Sequence, residues 1–235
     1  ELFGLHHTIM LAIFVVLVYG IHRLGQSQNL ILQNRVRISL ALILILQEIA
    51  FHGWNISIGS WSVQTLLPFH VCSALVWLSP VMLLTKSYRL YELAFFLGIG
   101  GALQAMLTPD ISQYGFPHFR FFQVFISHGS IILAALYMTF VDKFRPTWKS
   151  LWRVFWGLNA YMVVMYGINT LLGSNYLFIM HKPETPSLLD VLGPWPWYVF
   201  AAEGLAVMVF FLLYLPFWLQ GRVAAKFPQN VSTEG

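Results

Sequence analysis

The sequence has few charged residues. Lys and Arg number 13 and Asp and Glu number 9 among 235 residues, which is 9% of the chain. A soluble domain carries about 25% charged residues. Because so few charges cannot cover a water-facing surface of this size, the composition excludes both an ordinary soluble globule and a disordered chain. With 58% hydrophobic and 17% aromatic residues, the chain is expected to lie in lipid.

Cysteine is almost absent as well. Cys72 is the single cysteine, which excludes an internal disulfide framework and a cysteine-rich metal centre. The N-terminus has no basic region before its first apolar run, so no cleavable signal peptide is expected. The net charge of +4 does not indicate nucleic acid, because basic loops on the inner side of a membrane protein give the same excess.

Seven runs of the sequence are apolar and approach the length of about 20 residues that a membrane span needs. We predict an all-α polytopic membrane protein, a bundle of seven transmembrane helices that forms one domain over residues 1–235. The predicted spans are 8–24, 36–54, 67–85, 88–107, 119–141, 151–173 and 196–219.

The basic residues predict the orientation of these spans. Eleven of the 13 Lys and Arg residues fall in loops or at span ends on one side, and the other side has only Arg120 and Lys182. Because cytoplasmic loops carry the Lys and Arg excess, we predict that the N-terminus is outside and the C-terminus inside. A multi-pass protein of the cell membrane is the expected location.

The polar residues inside the predicted spans are the candidate site. Ionisable groups at membrane depth are costly and indicate function by default. With a rise of about 1.5 Å per residue, polar residues from six of the predicted helices fall in the outer half of the bilayer. This shared position predicts one outward-facing cavity. Its predicted members are Glu48, His52, His70, Cys72, Gln104, Gln123, His128, Asn169 and Glu203. Glu92 lies deeper and is expected to pair with Arg89 at the inner interface.

This set of residues is suited to acyl transfer on a lipid. A cysteine nucleophile needs a base within hydrogen-bond reach and a group that orients the base. Cys72, His128 and a carboxylate of Glu48 or Glu203 supply these types. Arg120 is the best candidate to hold an anionic headgroup, by bidentate contact with phosphate.

Two other functions use the same residues. A zinc site from His52, His70, His128 and a carboxylate is less favoured, because the chain has no paired-histidine metal motif; we predict no metal and no cofactor. The second is a non-catalytic protein that binds or transports a lipid or small molecule, with Glu48 and Glu203 carrying protons or a cation. No internal repeat supports a transporter. The predicted partner is a membrane lipid, and no protein partner is indicated.

Five segments carry a resemblance to a known family. They are LPFHVC (67–72), GGALQAMLTPD (100–110), YGFPHFRFFQ (114–123), SHG (127–129) and PSLLDVLGPWPW (186–197). With them the chain resembles the YwaF-like family of bacterial multi-pass membrane proteins, from about Phe14 to Leu219. That family is distantly similar to the eukaryotic transmembrane protein 164, an acyltransferase that moves fatty acyl chains onto ether phospholipids through a Cys and a His.

The resemblance implies roles for individual residues. His128 matches the family histidine, and the segment Pro68-Phe69-His70 matches a Pro-x-His motif. The eukaryotic relative has its nucleophilic cysteine at the middle position, which is Phe69 here. Cys72 lies three residues later, on the same face of a helix. The leading prediction is therefore a lipid acyltransferase or ester hydrolase with His128 as base, Cys72 as nucleophile, and Glu48, His52 or His70 as orienting residues.

Overall fold

The computed structural model describes residues 2–109, 114–185 and 187–226. Asp110 and Pro186, which belong to the segments quoted above, lie outside these ranges. Every regular element within the described ranges is a helix, in agreement with the predicted all-α class.

Long helices occupy all seven regions that the sequence predicts to be spans. They are α1 (Leu5–Leu24), α2 (Leu30–Ser57), α3 (Val71–Thr85), a composite of α4 (Tyr88–Leu93), a π-helix (Ala94–Gly98) and α5 (Ile99–Leu107), then α6 (Phe119–Phe140), α7 (Trp148–Leu172) and α8 (Trp197–Lys226). Two 3-10 helices, Tyr176–Phe178 and Leu188–Leu192, lie between α7 and α8. Helix α3 begins at Val71 rather than at residue 67, since a proline disfavours helical backbone at the residue before it.

Five of the described helices are long and apolar enough to cross a membrane: α1, α2, the composite of α4 and α5, α6 and α8. Helix α3 is apolar but has 15 residues, which is short for a span. Helix α7 is long enough but does not combine its length with sufficient apolar character. The chain is therefore an all-helical, multi-pass membrane protein with five helices of full spanning length and composition.

Helix α6 lies at the centre of the bundle. It contacts α1, α2, α3 and α5 and is buried along most of its length. Small side chains occur in its middle, among them Gly129, Ser130, Ala134 and Ala135. Such residues let helix backbones approach closely in membranes, where no hydrophobic force drives helices together.

Three helices meet at Gly98, the last residue of the π-helix. A β-carbon at Gly98 would lie 2.9 Å from Ile131 Cγ2 of α6 and 3.4 Å from Leu75 Cδ1 of α3. The absence of a side chain at Gly98 therefore permits this junction. It also places Leu75 and Ile131 at the same level of the bundle.

An ion pair joins the C-terminal ends of α3 and α6. Lys86 Nζ lies 2.5 Å from Asp142 Oδ1. Lys86 directly follows the end of α3, and Asp142 is the second residue after the end of α6. Together with the junction at Gly98, this contact holds α3 and α6 side by side and parallel, with matching levels.

Glu92 anchors the N-terminal part of α7 on α4. Its buried carboxylate accepts two hydrogen bonds from Arg153 Nη1, at 2.5 Å and 2.8 Å, and one from Ser150 Oγ at 2.6 Å. The predicted partner, Arg89, lies farther away, at 3.5 Å. The main partner comes from α7 because a buried charge needs close, multiple hydrogen bonds, and these stabilise the packing of α7 on α4.

A clamp of hydrogen bonds holds the irregular segment between α2 and α3. The buried Tyr176 hydroxyl donates to Val63 O at 2.6 Å and accepts from Leu67 N at 3.0 Å, and Tyr161 donates to Phe69 O at 2.9 Å. Burial raises the pKa of Tyr176, so its hydroxyl keeps the proton that it donates. The clamp fixes the start of α3.

Replacement of Gly25 by alanine is expected to destabilise the bundle. Gly25 caps α1 against the last turn of α6, where a β-carbon would lie 2.7 Å from the carbonyl carbon of Phe140. Overpacking of this kind costs about 1–3 kcal/mol, which thermal unfolding in detergent measures. Gly20→Ala is the matched control, because a β-carbon at Gly20 meets nothing within 4 Å. Equal melting temperatures for the two variants would contradict this packing.

Candidate functional site

Glu48 and His52 form a pair on α2 that a tryptophan completes. His52 Nε2 lies 3.4 Å from Glu48 Oε1, and Glu48 is buried. Trp61 Nε1 donates a hydrogen bond to His52 Nδ1 at 2.9 Å. Because an indole N–H can only donate, Nδ1 of His52 has no proton, and the proton is on Nε2, which faces Glu48.

Two glutamines connect Glu48 to Arg120. Gln47 Nε2 donates to Glu48 Oε2 at 3.2 Å, and Gln123 Nε2 of α6 donates to Gln47 Oε1 at 3.0 Å. The Arg120 guanidinium donates to Gln123 Oε1 and lies 4.7 Å from the centre of the Phe51 ring. A continuous set of side chains thus links the C-terminal part of α2 to the N-terminal part of α6.

Two series of contacts end at Glu48. Its Oε2 accepts the last hydrogen bond of the series that begins at Arg120. Its Oε1 faces His52, which accepts a hydrogen bond from Trp61. The half-buried Arg120 guanidinium lies at one end of the first series and the buried Glu48 side chain at the other. We call this set the α2–α6 network; its members are Trp61, His52, Glu48, Gln47, Gln123 and Arg120.

Sequence analysis identified four members of the network and missed Gln47 and Trp61. The sequence does contain a signal for Gln47. Leu40, Leu44 and Gln47 follow one another at helical spacing and are buried on α2, which packs against α6. Trp61 lies in an irregular segment, where no periodicity indicates its partner.

Cys72 lies elsewhere, on an apolar cavity of about 250 Å³. The cavity is lined by α3, by the composite of α4 and α5, by the 3-10 helix Leu188–Leu192 and by α8, and its polar side chains are Cys72 and Gln104. A β-carbon at Gly101 would lie 3.7 Å from Cys72 Sγ. The missing side chain at Gly101 therefore leaves the space in front of the thiol.

His128 is held in the form that a general base requires. Its Nδ1 lies 2.8 Å from the carbonyl oxygen of Val124, one turn earlier on α6. Because a carbonyl can only accept, Nδ1 carries the proton and Nε2 retains its lone pair. Among the described residues, no hydrogen-bond partner occupies Nε2.

Cys72 and His128 lie at the same level of the bundle. Cys72 precedes Lys86 by 14 residues, and His128 precedes Asp142 by 14 residues. Each lies three residues before one of the pair Leu75 and Ile131, which meet at Gly98. No hydrogen bond joins Cys72 to His128 in the described part of the chain.

His70 and Asn169 lie at the clamp around Tyr176. Asn169 Nδ2 donates to Tyr176 O at 2.9 Å, and Asn169 Oδ1 accepts from Tyr176 N at 2.8 Å. His70 Nδ1 accepts from Leu177 N at 3.3 Å. Leu177 and Phe178 both adopt positive φ, 63° and 54°, which is unusual for such residues and requires support from neighbours. Asn169 and His70 supply that support.

Glu203 is half-buried on α8, beside the cavity-lining Ala202 and Ala206. It makes no hydrogen bond or ion pair with any described residue. Nor do three His, Cys, Asp or Glu side chains form a group that could hold a metal ion anywhere in the described ranges. The polar residues that were predicted to share one cavity are therefore divided between the α2–α6 network, the Cys72 cavity and the Tyr176 clamp, with His128 on α6.

The model of the TMEM164 family matches residues 2–214, and the chain therefore belongs to the TMEM164 family. The match confirms the wider resemblance, and the narrower YwaF-like assignment stays a prediction. Comparisons with curated proteins and with solved structures found no match.

Breaking the bridge between the two glutamines is expected to destabilise the protein. Gln123→Leu removes the donor to Gln47 and leaves a buried amide oxygen without that hydrogen bond. Such a loss costs about 1–3 kcal/mol, which denaturant unfolding in detergent measures.

The double variant Gln47→Leu/Gln123→Leu tests the link directly. Residues in contact show coupling energies of about 0.5–3 kcal/mol, so the double variant is expected to lose less stability than the two single variants together. Strict additivity would show that the two amides do not interact.

Proposed function

We propose that this member of the TMEM164 family is a seven-span protein of the cell membrane, with its N-terminus outside and its C-terminus inside. It binds a membrane lipid in its outer half and transfers or hydrolyses the acyl chain of that lipid. The observation that carries the proposal is the position of Cys72, whose thiol faces an apolar cavity at the depth of His128.

The cavity suits part of an acyl chain. Its lining is apolar apart from Cys72 and Gln104, and apolar cavities of about 150 Å³ already bind molecules such as benzene. Arg120 contacts the headgroup in this proposal, because a guanidinium matches phosphate by bidentate hydrogen bonds. The α2–α6 network holds Arg120 at the outer end of α6.

The proposed reaction has two steps. His128 Nε2 takes the thiol proton of Cys72, and the thiolate attacks the ester carbonyl of the lipid. The ester C–O bond breaks, the lyso-lipid alkoxide takes the proton from His128, and a thioester remains on Cys72. A lyso-lipid hydroxyl or a water then loses its proton to His128 and attacks the thioester, and the thiolate recovers the proton.

A second function has its own support. The missing hydrogen bond between Cys72 and His128 favours a protein that binds or transports a lipid through the same cavity without chemistry. Catalytic hydrogen bonds are often long before substrate binds, so both functions are tested together.

Acylation of the chain by lipid vesicles tests the enzyme. The protein is incubated with a phospholipid that carries an alkyne-tagged acyl chain, and hydroxylamine-sensitive label is measured. Because Cys72 is the single cysteine, a thioester on it is unambiguous. Cys72→Ala is expected to abolish the label. His128→Gln is expected to slow it by about 10²–10⁴-fold, the contribution of a general base.

Gly101→Phe fills the space in front of the thiol and is expected to prevent acylation. Gly167→Phe is its control, since Gly167 is exposed on α7 with nothing within 4 Å of a β-carbon. Label that persists in Cys72→Ala would rule out the thioester. A photoreactive lipid that crosslinks to wild type and to His128→Gln but not to Gly101→Phe, without thioester, would establish the binding function instead.

The seven-span topology gives a separate prediction. In a Cys72→Ala background, Lys182→Cys is expected to react with a membrane-impermeant maleimide added outside intact cells. Lys149→Cys is expected to react after permeabilisation only, because it precedes α7 on the predicted inner side. The reverse pattern would show that the orientation is inverted. Labelling of both positions from outside would show that α7, which lies between them, does not cross the membrane.

A further inference from the structure

The Cys72 cavity has a polar end and an apolar end. Cys72 lies near the start of α3, and Gly101 of α5 faces its thiol. Gln104, the other polar side chain of the lining, lies one turn farther along α5. In the opposite direction along the composite of α4 and α5, the lining is apolar and ends at Phe96 of the π-helix. The cavity therefore runs from an amide, past the thiol, to an aromatic ring.

Two aromatic rings close the apolar end. The ring centres of Phe96 and of Phe210 on α8 lie 5.2 Å apart, and both side chains are buried. Phe96 precedes Gly101 by five residues. With a rise of about 1.5 Å per residue, the two rings lie roughly 7 Å along the composite from the level of the thiol. We call this pair of rings the Phe96–Phe210 wall.

Close helix contacts enclose the space between the thiol and the Phe96–Phe210 wall. A β-carbon at Gly100 would lie 3.1 Å from Val209 Cγ1, so α8 packs directly on the composite at this level. On the side of α3, Leu75 Cδ1 would lie 3.4 Å from a β-carbon at Gly98. Gly101 and Gln104 are exposed at the other end of the cavity. A chain therefore enters near the thiol and meets packed helices on two sides and the wall ahead.

We propose that the Phe96–Phe210 wall limits the acyl chain that this cavity accepts to about ten carbon atoms. The limit follows from volume. A cavity of about 150 Å³ takes the six carbon atoms of benzene, and in proportion a cavity of about 250 Å³ takes about ten. The carbonyl carbon lies at Cys72 Sγ, and the methyl end points toward the wall. The inference rests on the proposed function in one respect, namely that this cavity takes an acyl chain.

An alkyl chain tethered to Cys72 tests the limit. The full chain in phosphatidylcholine nanodiscs is treated with alkyl methanethiosulfonates of graded length that carry a diazirine at the far end. The Cys72 thiolate attacks the sulfur bound to the alkyl chain, methanesulfinate leaves, and the new disulfide holds the chain where a thioester would. Because Cys72 is the single cysteine, the tether has one position. Light then attaches the far end to protein or to lipid, and mass spectrometry locates the adduct.

Short chains are expected to label the protein at the wall. For chains of up to about ten carbon atoms we expect adducts in the segments around Phe96 and Phe210, because the far end is enclosed there. Longer chains exceed the cavity, so their far ends are expected to label lipid. The control is Cys72→Ala/Gly167→Cys, whose cysteine lies on an exposed position of α7. It is expected to label lipid at every chain length.

Phe210→Ala is expected to move the change from protein adducts to lipid adducts to longer chains. The shift is about six carbon atoms, because the substitution leaves a cavity the size of the removed ring. Phe211→Ala is the matched control, since it removes the same ring from the next residue of α8, which is exposed. It is expected to cause no shift. Phe210→Leu keeps more of the packing and is expected to give a smaller shift in the same direction.

The outcomes separate this inference from the proposed function. A change-over length that is the same in wild type, Phe210→Ala and Phe210→Leu would overturn the limit and leave the proposed function intact. Lipid adducts at every chain length in wild type would show that the cavity takes no acyl chain, and would overturn both. A length limit that moves with Phe210, in a protein that takes no label from the alkyne-tagged phospholipid, would support the limit and overturn the reaction alone.

Discussion

A lipid bilayer offers no hydrogen-bond partners, so a polar side chain that enters it is costly unless the protein supplies a partner. This cost determines how α2 and α6 pack against each other. Gln47 of α2 and Gln123 of α6 bond to each other, and the charges of Glu48 and Arg120 are joined through them. Because α6 also contacts α1, α3 and α5, the position set by these amides extends to the rest of the core.

The sequence was sufficient for the helices, since these follow from local hydropathy. The depth of each polar residue is a prediction from a constant rise per residue, and it does not say which residues surround each polar side chain. Glu48 and Glu203 have similar predicted depths, yet both carboxylate oxygens of Glu48 have partners and Glu203 has none among the described residues. Depth gives one coordinate, and the other two depend on how helices rotate and pack. The junction at Gly98 is such a case, because its close contacts involve residues far apart in the sequence.

Saturated and unsaturated polar groups have different consequences. Asn169 uses both polar atoms of its side chain on Tyr176 and Ser174, which supports the unusual backbone of that turn. Glu92 accepts three close hydrogen bonds and holds α7. His128 is half-buried and its Nε2 has no hydrogen-bond partner among the described residues, so this atom is available to a bound molecule where Asn169 and Glu92 are not.

Helix α6 connects the α2–α6 network to the level of Cys72. Gln123 and His128 lie on the same helix, five residues apart, so any shift of the network moves His128 with it. Helix α3 is held by separate contacts, namely Lys86 with Asp142 at its C-terminal end and the Tyr176 clamp at its N-terminal end. Since the C-terminal ends of α3 and α6 are tied and the N-terminal ends have different anchors, we expect a change at Glu48 to alter the spacing of the two helices mainly in their N-terminal halves. Cys72 and His128 both lie in those halves.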